Sequence, residues 1–510
     1  MSLGSGRATA ALWLRTDHLG HDLSRRSARG ALVTVAVQGV KIAANFASVA
    51  VLARLLAPSD FGLIAMAVVV FAFLDAFRDF GLSQATVQRG EITAGQVSTL
   101  FWVNAALGAG LAAAAVAAAP LIAGFYGEPR LIGVVRWLAL GIFISSLSVQ
   151  HVALLRRQLR FPTIAGIELA AELSALGIAL AVAFAGYGYW ALVAQRLAAA
   201  ALLAAGAWTM CSWAPSRPRQ RDAAGTRSLL AFGGNLVGFG VLSLIARTLD
   251  QMLIGWVWGA RPLGLYERPY RLIMVPINYV NAPLSAVAVP TLCRLTHAPD
   301  RYRRTYLTTL RAVAALTMPA AALLIGASDW AIAVVFGPGW GEAAPILMFL
   351  GFAALIQPVA NTTGWLFVSQ DRTAEQLRWG AIGTALSVMA IVAGLPYGAV
   401  GVAASYAISG LVIRSPILFR MAGSRGPVSE ADIYRALIPG ALAAAGAAAA
   451  TLAVHALAPH LLRALPAAAN LTLAAAAAAA IVAVFYAATP WGRAAMDDLR
   501  ALRRLLTRKP

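Results

Sequence analysis

The sequence is poor in charged residues and in long polar segments. Only 12% of its 510 residues are charged, whereas a soluble domain carries about 25%. Hydrophobic residues make up 60% of the chain, and the mean hydropathy is +0.73. This composition excludes a soluble globular protein. It indicates an integral membrane protein, because apolar runs long enough to span a bilayer follow one another with little between them.

The chain also lacks the residue patterns of most catalytic and metal sites. Its two cysteines, Cys211 and Cys293, have neither metal-binding nor redox spacing, and its six histidines form no HxxxH or HExxH pattern. No nucleophile elbow and no phosphate-binding glycine loop is present. We therefore expect no catalytic residues, no metal site and no cofactor.

Acidic residues are scarce relative to basic ones. The chain has 21 acidic and 41 basic side chains, a net charge of +20. In a soluble protein this balance would suggest a nucleic-acid partner. Here most cations fall in alternate short loops, for example Arg156, Arg157 and Arg160. Because cytoplasmic loops of membrane proteins are enriched in Lys and Arg, we expect both termini in the cytoplasm and no nucleic-acid partner.

The long apolar runs predict helices, since they are too long and too uniformly apolar for barrel strands. The predicted fold is therefore an all-α polytopic membrane protein with about fourteen transmembrane helices. The predicted spans are 31–57, 60–82, 96–120, 131–153, 163–186, 188–211, 229–257, 264–292, 307–328, 343–368, 378–395, 398–420, 433–456 and 468–488.

An internal repeat divides these spans into two lobes. When the chain is shifted by 202 residues, Gly62 falls on Gly264, and the sequence DFGLS at 79–83 falls on NAPLS at 281–285. Transporter repeats of this kind place the substrate site at the lobe interface near the bilayer midplane. The predicted segments are a cytoplasmic N-terminal segment (1–30), an N-lobe (31–211), a cytoplasmic linker (212–228), a C-lobe (229–420), two further spans (433–488) and a basic amphipathic tail (489–510).

Each lobe begins with a helix that carries a polar face. In the first span, spacings of 3, 4 and 3 place four polar residues on one helical face, and the 202-residue shift matches three of them to the seventh span. Two hypotheses remain open for the cations: they bind an anion in a central cavity, or they pair with neighbouring carboxylates. The candidate substrate-binding residues are Gln38, Lys41, Asn45 and Ser48, with Ser243, Arg247 and Asp250.

Three charges near the end of the second span are candidates for a gate. Asp75, Arg78 and Asp79 lie on one helical face. They form either a cytoplasmic gate that pairs with the opposite lobe or a local ion pair near the helix end.

Four more charged residues lie within or beside predicted spans. Glu168 and Glu172, four residues apart in the fifth span, either couple transport to a proton or cation or neutralise arginines such as Arg136 or Arg196. Arg268 and Arg271, at the start of the eighth span, either line the outer cavity and bind substrate or snorkel to the interface.

Several stretches resemble one transporter family. They are LLAPSDFGLIAMA and FRDFGLSQATVQR (55–89), STLFWVNAALG and PLIAGFYGEPRL (98–131), GYGYWALVAQ (186–195), ARTLDQMLIG (246–255), LGLYERPYRLIMVP (263–276) and FGPGWGEAAPIL (336–347). They are similar to Wzx-type (WzxC-like) polysaccharide and lipopolysaccharide exporters of the multidrug/oligosaccharidyl-lipid/polysaccharide exporter superfamily. The resemblance covers residues 30–420 and is strongest over the first 290.

The resemblance implies a flippase of the bacterial inner membrane. Such a protein translocates an undecaprenyl-diphosphate-linked oligosaccharide repeat unit by alternating access, for the assembly of O-antigen, exopolysaccharide or capsule. The implied partners are this lipid-linked oligosaccharide, membrane lipids, and the polymerase and glycosyltransferases of the same pathway. Three alternatives stay open: a drug or cation antiporter, a peptidoglycan-precursor flippase and a membrane enzyme of polysaccharide assembly.

Overall fold

The computed structural model describes Trp13 and residues 23–79, 82–89, 92–216, 248–461, 465–494 and 496. Every regular element in these ranges is a helix, and no strand occurs among them. The first helices are α1 (Leu23–Leu55), α2 (Pro58–Asp79), α3 (Leu82–Gln88), α4 (Ala94–Tyr126), α5 (Leu131–Ser146), α6 (Val149–Arg157), α7 (Phe161–Phe184), α8 (Trp190–Met210) and α9 (248–258).

The remaining helices follow in the second half of the chain. A short 3₁₀ turn, Pro338–Ala343, precedes α13, and a π-helical turn, Ser409–Arg414, joins α15 to α16. These helices are α10 (Ala260–Arg294), α11 (Pro299–Gly326), α12 (Ser328–Val335), α13 (Ala344–Ser369), α14 (Thr373–Gly394), α15 (Gly398–Ile408), α16 (Ser415–Gly423), α17 (Glu430–Leu461) and α18 (Ala467–Ala488).

The described helices confirm the all-α polytopic membrane class. Ten stretches are long and apolar enough to cross a membrane, and one of them, Thr373–Gly423, contains two of the predicted spans. Helices α1 and α10 also overlap predicted spans and are not among the ten. Most of the seventh predicted span lies outside the described residues. The total of fourteen therefore stays a prediction.

The chain divides into two compact units, Met1–Gly264 and Leu265–Pro510. Most of the predicted linker, the first 22 residues apart from Trp13, and nearly all of the tail beyond residue 494 lie outside the described residues. The predicted segment boundaries accordingly remain predictions. In the first unit α4 packs on α5, α7 packs on α8, and α1 crosses α7. In the second unit α11 packs on α13 and α17, and α17 packs on α18.

Local sequence explains where the helices begin and end. Helix α4 starts at a capping box, in which the Gln96 backbone N–H donates to the Thr93 hydroxyl at 3.2 Å and the Thr93 N–H donates to the Gln96 side chain at 3.0 Å. It ends at Gly127, whose φ of 66° lies in the left-handed region that favours glycine. These two signals set a 33-residue helix, longer than the predicted span 96–120.

Each unit has its own aromatic and aliphatic core. In the first unit, Phe101 and Trp213 pack with Leu154, Leu155 and neighbouring side chains. In the second unit, a larger cluster holds Tyr302, Tyr306, Trp365 and Phe419 between α11, α13, α16 and α17.

Candidate functional site

An ion-pair cluster joins α1 to α7 inside the first unit. The Lys41 ammonium lies 2.9 Å from Glu168 Oε2 and 3.1 Å from Glu172 Oε1. The two glutamates are one helical turn apart on α7, so both face the same crossing helix. Lys41 is mostly buried, with 16% of its side chain exposed. When all three groups are ionised, the cluster carries one surplus negative charge.

This cluster borders a cavity of about 570 Å³ in the first unit. Charged and hydroxyl side chains line the cavity together with apolar side chains of α6, α7 and α8. The polar lining consists of Lys41, Arg78, Ser83, Ser145, Ser148, Arg156, Glu168 and Glu172. A cavity with three cations, two carboxylates and three hydroxyls inside an apolar helical unit has the composition of a polar ligand site.

A break in the fourth predicted span supplies two of these hydroxyls. The sequence predicts one span over 131–153, but the helix stops at Ser146 and restarts at Val149. The turn between α5 and α6 is held by the Ser148 hydroxyl, which donates to the Ser145 carbonyl oxygen at 2.8 Å. The break places Ser145 and Ser148 on the cavity wall. Interrupted helices are tolerated in membranes where they line a cavity.

One of the three candidate gate residues, Arg78, lines the same cavity. Arg78 Nη1 lies 3.3 Å from Asp75 Oδ1, the local pairing expected three residues apart on a helix. Arg78 lines the cavity, while the side chain of Asp79 lies outside the described residues.

A buried polar network holds the segment that follows the candidate gate residues, and sequence reasoning missed it. Asn104 Nδ2 donates to the Arg78 carbonyl oxygen at 3.2 Å, and Gln150 Nε2 donates to Asn104 Oδ1 at 2.9 Å. The Thr86 hydroxyl in turn donates to Gln150 Oε1 at 2.8 Å. Arg157, counted above among loop cations, is buried and donates to the Thr86 carbonyl oxygen at 3.0 Å. The sequence signal for this network was the presence of Asn104 and Gln150 within apolar predicted spans, because a buried amide needs hydrogen-bond partners.

The polar face of α1 contributes unequally to the site. Lys41 lines the cavity, whereas Ser48 is buried and accepts a hydrogen bond from Gln195 Nε2 at 3.3 Å. Gln38 is half-buried and Asn45 is exposed.

The matching face of the seventh predicted span lies mainly outside the described residues, which include neither Ser243 nor Arg247. Asp250 is described and buried, and it accepts the Gln251 backbone N–H at 2.8 Å.

A cluster of the opposite charge ratio, two arginines around one carboxylate, occurs in the second unit. Arg268 Nε lies 3.0 Å from Glu267 Oε2, and Arg271 also pairs with Glu267. Glu267 is 1% exposed, so the two predicted substrate-binding arginines share a buried carboxylate that the sequence analysis did not single out. No group of His, Cys, Asp and Glu in the described ranges has the arrangement of a metal site.

Comparison with known proteins places these features in context. A model of the family described as "Polysaccharide biosynthesis protein" matches residues 51–345. Teichuronic acid biosynthesis protein TuaB of Bacillus subtilis is 27% identical over 312 residues, which are 60% of this chain and 64% of TuaB. The chain thus spans just under two thirds of that relative. Lipopolysaccharide biosynthesis protein WzxC of Escherichia coli is 26% identical over 379 residues, 73% of this chain and 75% of WzxC.

The solved structures support the fold. The lipid II flippase MurJ in an inward closed conformation superposes with a TM-score of 0.68 at 12% sequence identity, covering 89% of this chain and 99% of MurJ. At this identity the likeness concerns the fold alone.

Proposed function

The chain belongs to the polysaccharide biosynthesis protein family, and from that premise we propose that it flips an undecaprenyl-diphosphate-linked oligosaccharide repeat unit across the bacterial inner membrane by alternating access. The observation that carries this proposal is the polar cavity of about 570 Å³ within an apolar helical unit. Its cations suit phosphate, and its hydroxyls suit sugar.

The physics of the substrate agrees with this assignment. A diphosphate headgroup cannot cross the hydrocarbon core unaided, because an ionised group there is costly. A water-accessible cavity lined by cations lowers that barrier. Movement of negative charge outward is also favoured by about 2.3 kcal/mol per charge for each 100 mV of inside-negative potential.

We assign substrate contact to the two polar faces and coupling to the ion-pair cluster. Glu168 and Glu172 are proposed to take up a proton or cation during the cycle, because their cluster with Lys41 carries a surplus negative charge. The α2 charges Asp75, Arg78 and Asp79 are proposed to gate the cytoplasmic mouth. The proposed substrate contacts are Gln38, Lys41, Asn45, Ser48, Ser243, Arg247, Asp250, Arg268 and Arg271.

A flipping assay tests the proposal directly. Proteoliposomes with a fluorescent lipid-linked oligosaccharide in both leaflets are treated with a membrane-impermeant quencher. We expect this protein to make nearly all of the probe quenchable, whereas protein-free liposomes protect the inner-leaflet half. An inner-leaflet pool that stays protected would overturn the proposal.

A cation or drug antiporter is the second candidate, and the two carboxylates facing the cavity favour it. Uptake of a fluorescent cationic drug into acid-loaded vesicles distinguishes the two. Drug uptake without lipid flipping would support the antiporter. A lipid II analogue in the flipping assay separates a peptidoglycan-precursor flippase from a polysaccharide flippase.

We further propose that the protein acts as a transporter and not as an enzyme of polysaccharide assembly, with both termini in the cytoplasm. Its proposed partners are membrane lipids and the polymerase and glycosyltransferases of the same pathway. Product release from the lipid-linked oligosaccharide by purified protein would contradict the assignment as a transporter.

A further inference from the structure

The three cations of the first-unit cavity differ in their availability to a ligand. Lys41 contacts two carboxylates, at 2.9 Å and 3.1 Å. Transfer of its ammonium to an incoming anion would leave both carboxylates without this partner inside the membrane, and the carboxylates would repel the anion. Lys41 is therefore a poor phosphate ligand despite its central position.

Arg156, unlike Lys41, is available to an anionic ligand. It lies in the last turn of α6, lines the cavity and is exposed. Within the described ranges no carboxylate forms an ion pair with it. A guanidinium in a polar cavity presents five N–H donors in a planar fork that matches phosphate oxygens in pairs.

Arg78 is only partly engaged. Its Nη1 contacts Asp75, and its Nε is buried with no hydrogen-bond partner among the residues that the structure describes. A buried N–H donor without a partner is unfavourable. An anion held in the adjoining cavity would give the Arg78 Nε–H group the partner that it lacks among the described residues.

Serine hydroxyls line the same cavity as the two arginines. Ser145 and Ser148 line the cavity at the break between α5 and α6, and Arg156 lies at the other end of α6. Because Ser148 donates its proton to the Ser145 carbonyl, its oxygen lone pairs stay available as acceptors. The cavity lining thus combines strong donors from the arginines with hydroxyl groups, as a phosphate ester with adjacent sugar hydroxyls requires.

We propose that Arg78 and Arg156 form the phosphate subsite of the cavity and that it takes the diphosphate of a prenyl-linked substrate. Lys41, Glu168 and Glu172 then form a separate electrostatic cluster that does not hold the phosphate. This assignment rests on the proposed function, and it moves phosphate binding from Lys41 to two arginines at the ends of α2 and α6.

The test measures binding of three probes to the full-length protein in nanodiscs. The probes are farnesyl diphosphate, inorganic pyrophosphate and farnesol. The variants are Arg78→Gln and Arg156→Gln. Arg136→Gln is the matched control, because Arg136 is an exposed arginine of α5 outside the cavity lining. The double variant Lys41→Met/Glu168→Gln removes one charge of each sign and so keeps the net charge of the cluster.

We expect each cavity variant to weaken farnesyl diphosphate binding by about tenfold, the loss of one charge-assisted interaction. The Arg136 variant should bind as the unmodified protein does, and the double variant should lose less than the arginine variants. Farnesol should bind weakly and equally to all proteins. Equal affinity for pyrophosphate and farnesyl diphosphate would show that the subsite binds free phosphate, and would overturn the assignment of a prenyl-linked ligand.

Unchanged binding in Arg78→Gln and Arg156→Gln, with loss in the Lys41 double variant, would overturn the subsite. Melting temperatures of all variants identify a protein that has failed to fold. The flipping assay keeps the two proposals distinguishable. If the protein flips the lipid but binds the probe equally well without the two arginines, the subsite alone is rejected. If binding depends on the arginines but no flipping occurs, the proposed function alone is rejected.

Discussion

Gly62 packs directly on the backbone at Ala260: a Cβ atom at Gly62 would lie 1.6 Å from the Ala260 carbonyl oxygen. The contact is reciprocal, because a Cβ at Gly264 would lie 1.9 Å from the Pro58 carbonyl oxygen. The first turns of α2 and α10 thus cross backbone to backbone inside the first unit. The 202-residue shift had matched Gly62 to Gly264, and the structure shows that these two equivalent positions touch.

Substitution of Gly62 by Ala should therefore destabilise the protein. The backbone at Ala260 cannot yield as a flexible side chain would, and overpacking of a tight contact costs about 1–3 kcal/mol. Unfolding of purified protein in mixed micelles measures the loss. Gly110→Ala in α4 is the control, because a Cβ there meets nothing within 4 Å. Equal stability of the two variants would contradict the tight crossing.

Arg157→Gln should also lower stability, by removing a clamp on the end of α3. Arg157 is 5% exposed and donates to the carbonyl oxygens of Thr86 and Arg89. Loss of these bonds removes a donor from the buried Thr86 carbonyl and from the half-buried Arg89 carbonyl, and a buried group left unsatisfied costs about 1–3 kcal/mol. The neighbouring Arg156→Gln is the control for folding, since Arg156 is exposed. Thermal unfolding of both variants decides the matter. A melting temperature as low for the control as for Arg157→Gln would show that the clamp is not specific.

The sequence predicted the helical class well because length and apolarity alone decide which segments span a bilayer. The four-residue spacing of Glu168 and Glu172 is a local feature of the sequence, and it is enough to place both on one helical face. It did not predict that Lys41 is their partner, because that contact depends on how α1 crosses α7. Arg157 shows the same limit: an arginine beside a predicted loop gives no local sign that it will be buried.

The two cysteines offer a test of the predicted orientation. Cys293 is exposed near the end of α10, whereas Cys211 is 1% exposed. If both termini are cytoplasmic, a membrane-impermeant maleimide should label Cys293 in inside-out vesicles and leave it unlabelled in intact spheroplasts. Cys293→Ser should abolish the signal, because Cys211 is buried. Labelling of Cys293 from the periplasmic side would reverse the predicted topology.

Charge reversal at Lys41 should abolish polymer export. It should also destabilise the protein, and exchange of the charges between Lys41 and Glu168 should restore stability. Lys41→Glu places three carboxylates together, and this should destabilise the protein. Loss of a fully buried pair costs about 3–5 kcal/mol. The loss here should be nearer 1–2 kcal/mol, because exposed partners are screened and Glu172 is 45% exposed. The double variant Lys41→Glu/Glu168→Lys keeps one cation and two carboxylates at the crossing of α1 and α7. Its melting temperature should therefore return towards that of the unmodified protein.

Export separates the role of the cluster from its stability. In a strain lacking its own flippase, surface polymer is measured for Lys41→Glu and for the charge swap. If the cluster takes up a proton or cation, the swap should fold and export polymer, since its net charge is unchanged. Arg54→Glu is the control, because Arg54 bonds to its own helix, through the Ala50 carbonyl oxygen at 3.0 Å, and is exposed. Normal surface polymer from Lys41→Glu would show that neither coupling nor substrate contact depends on this cation.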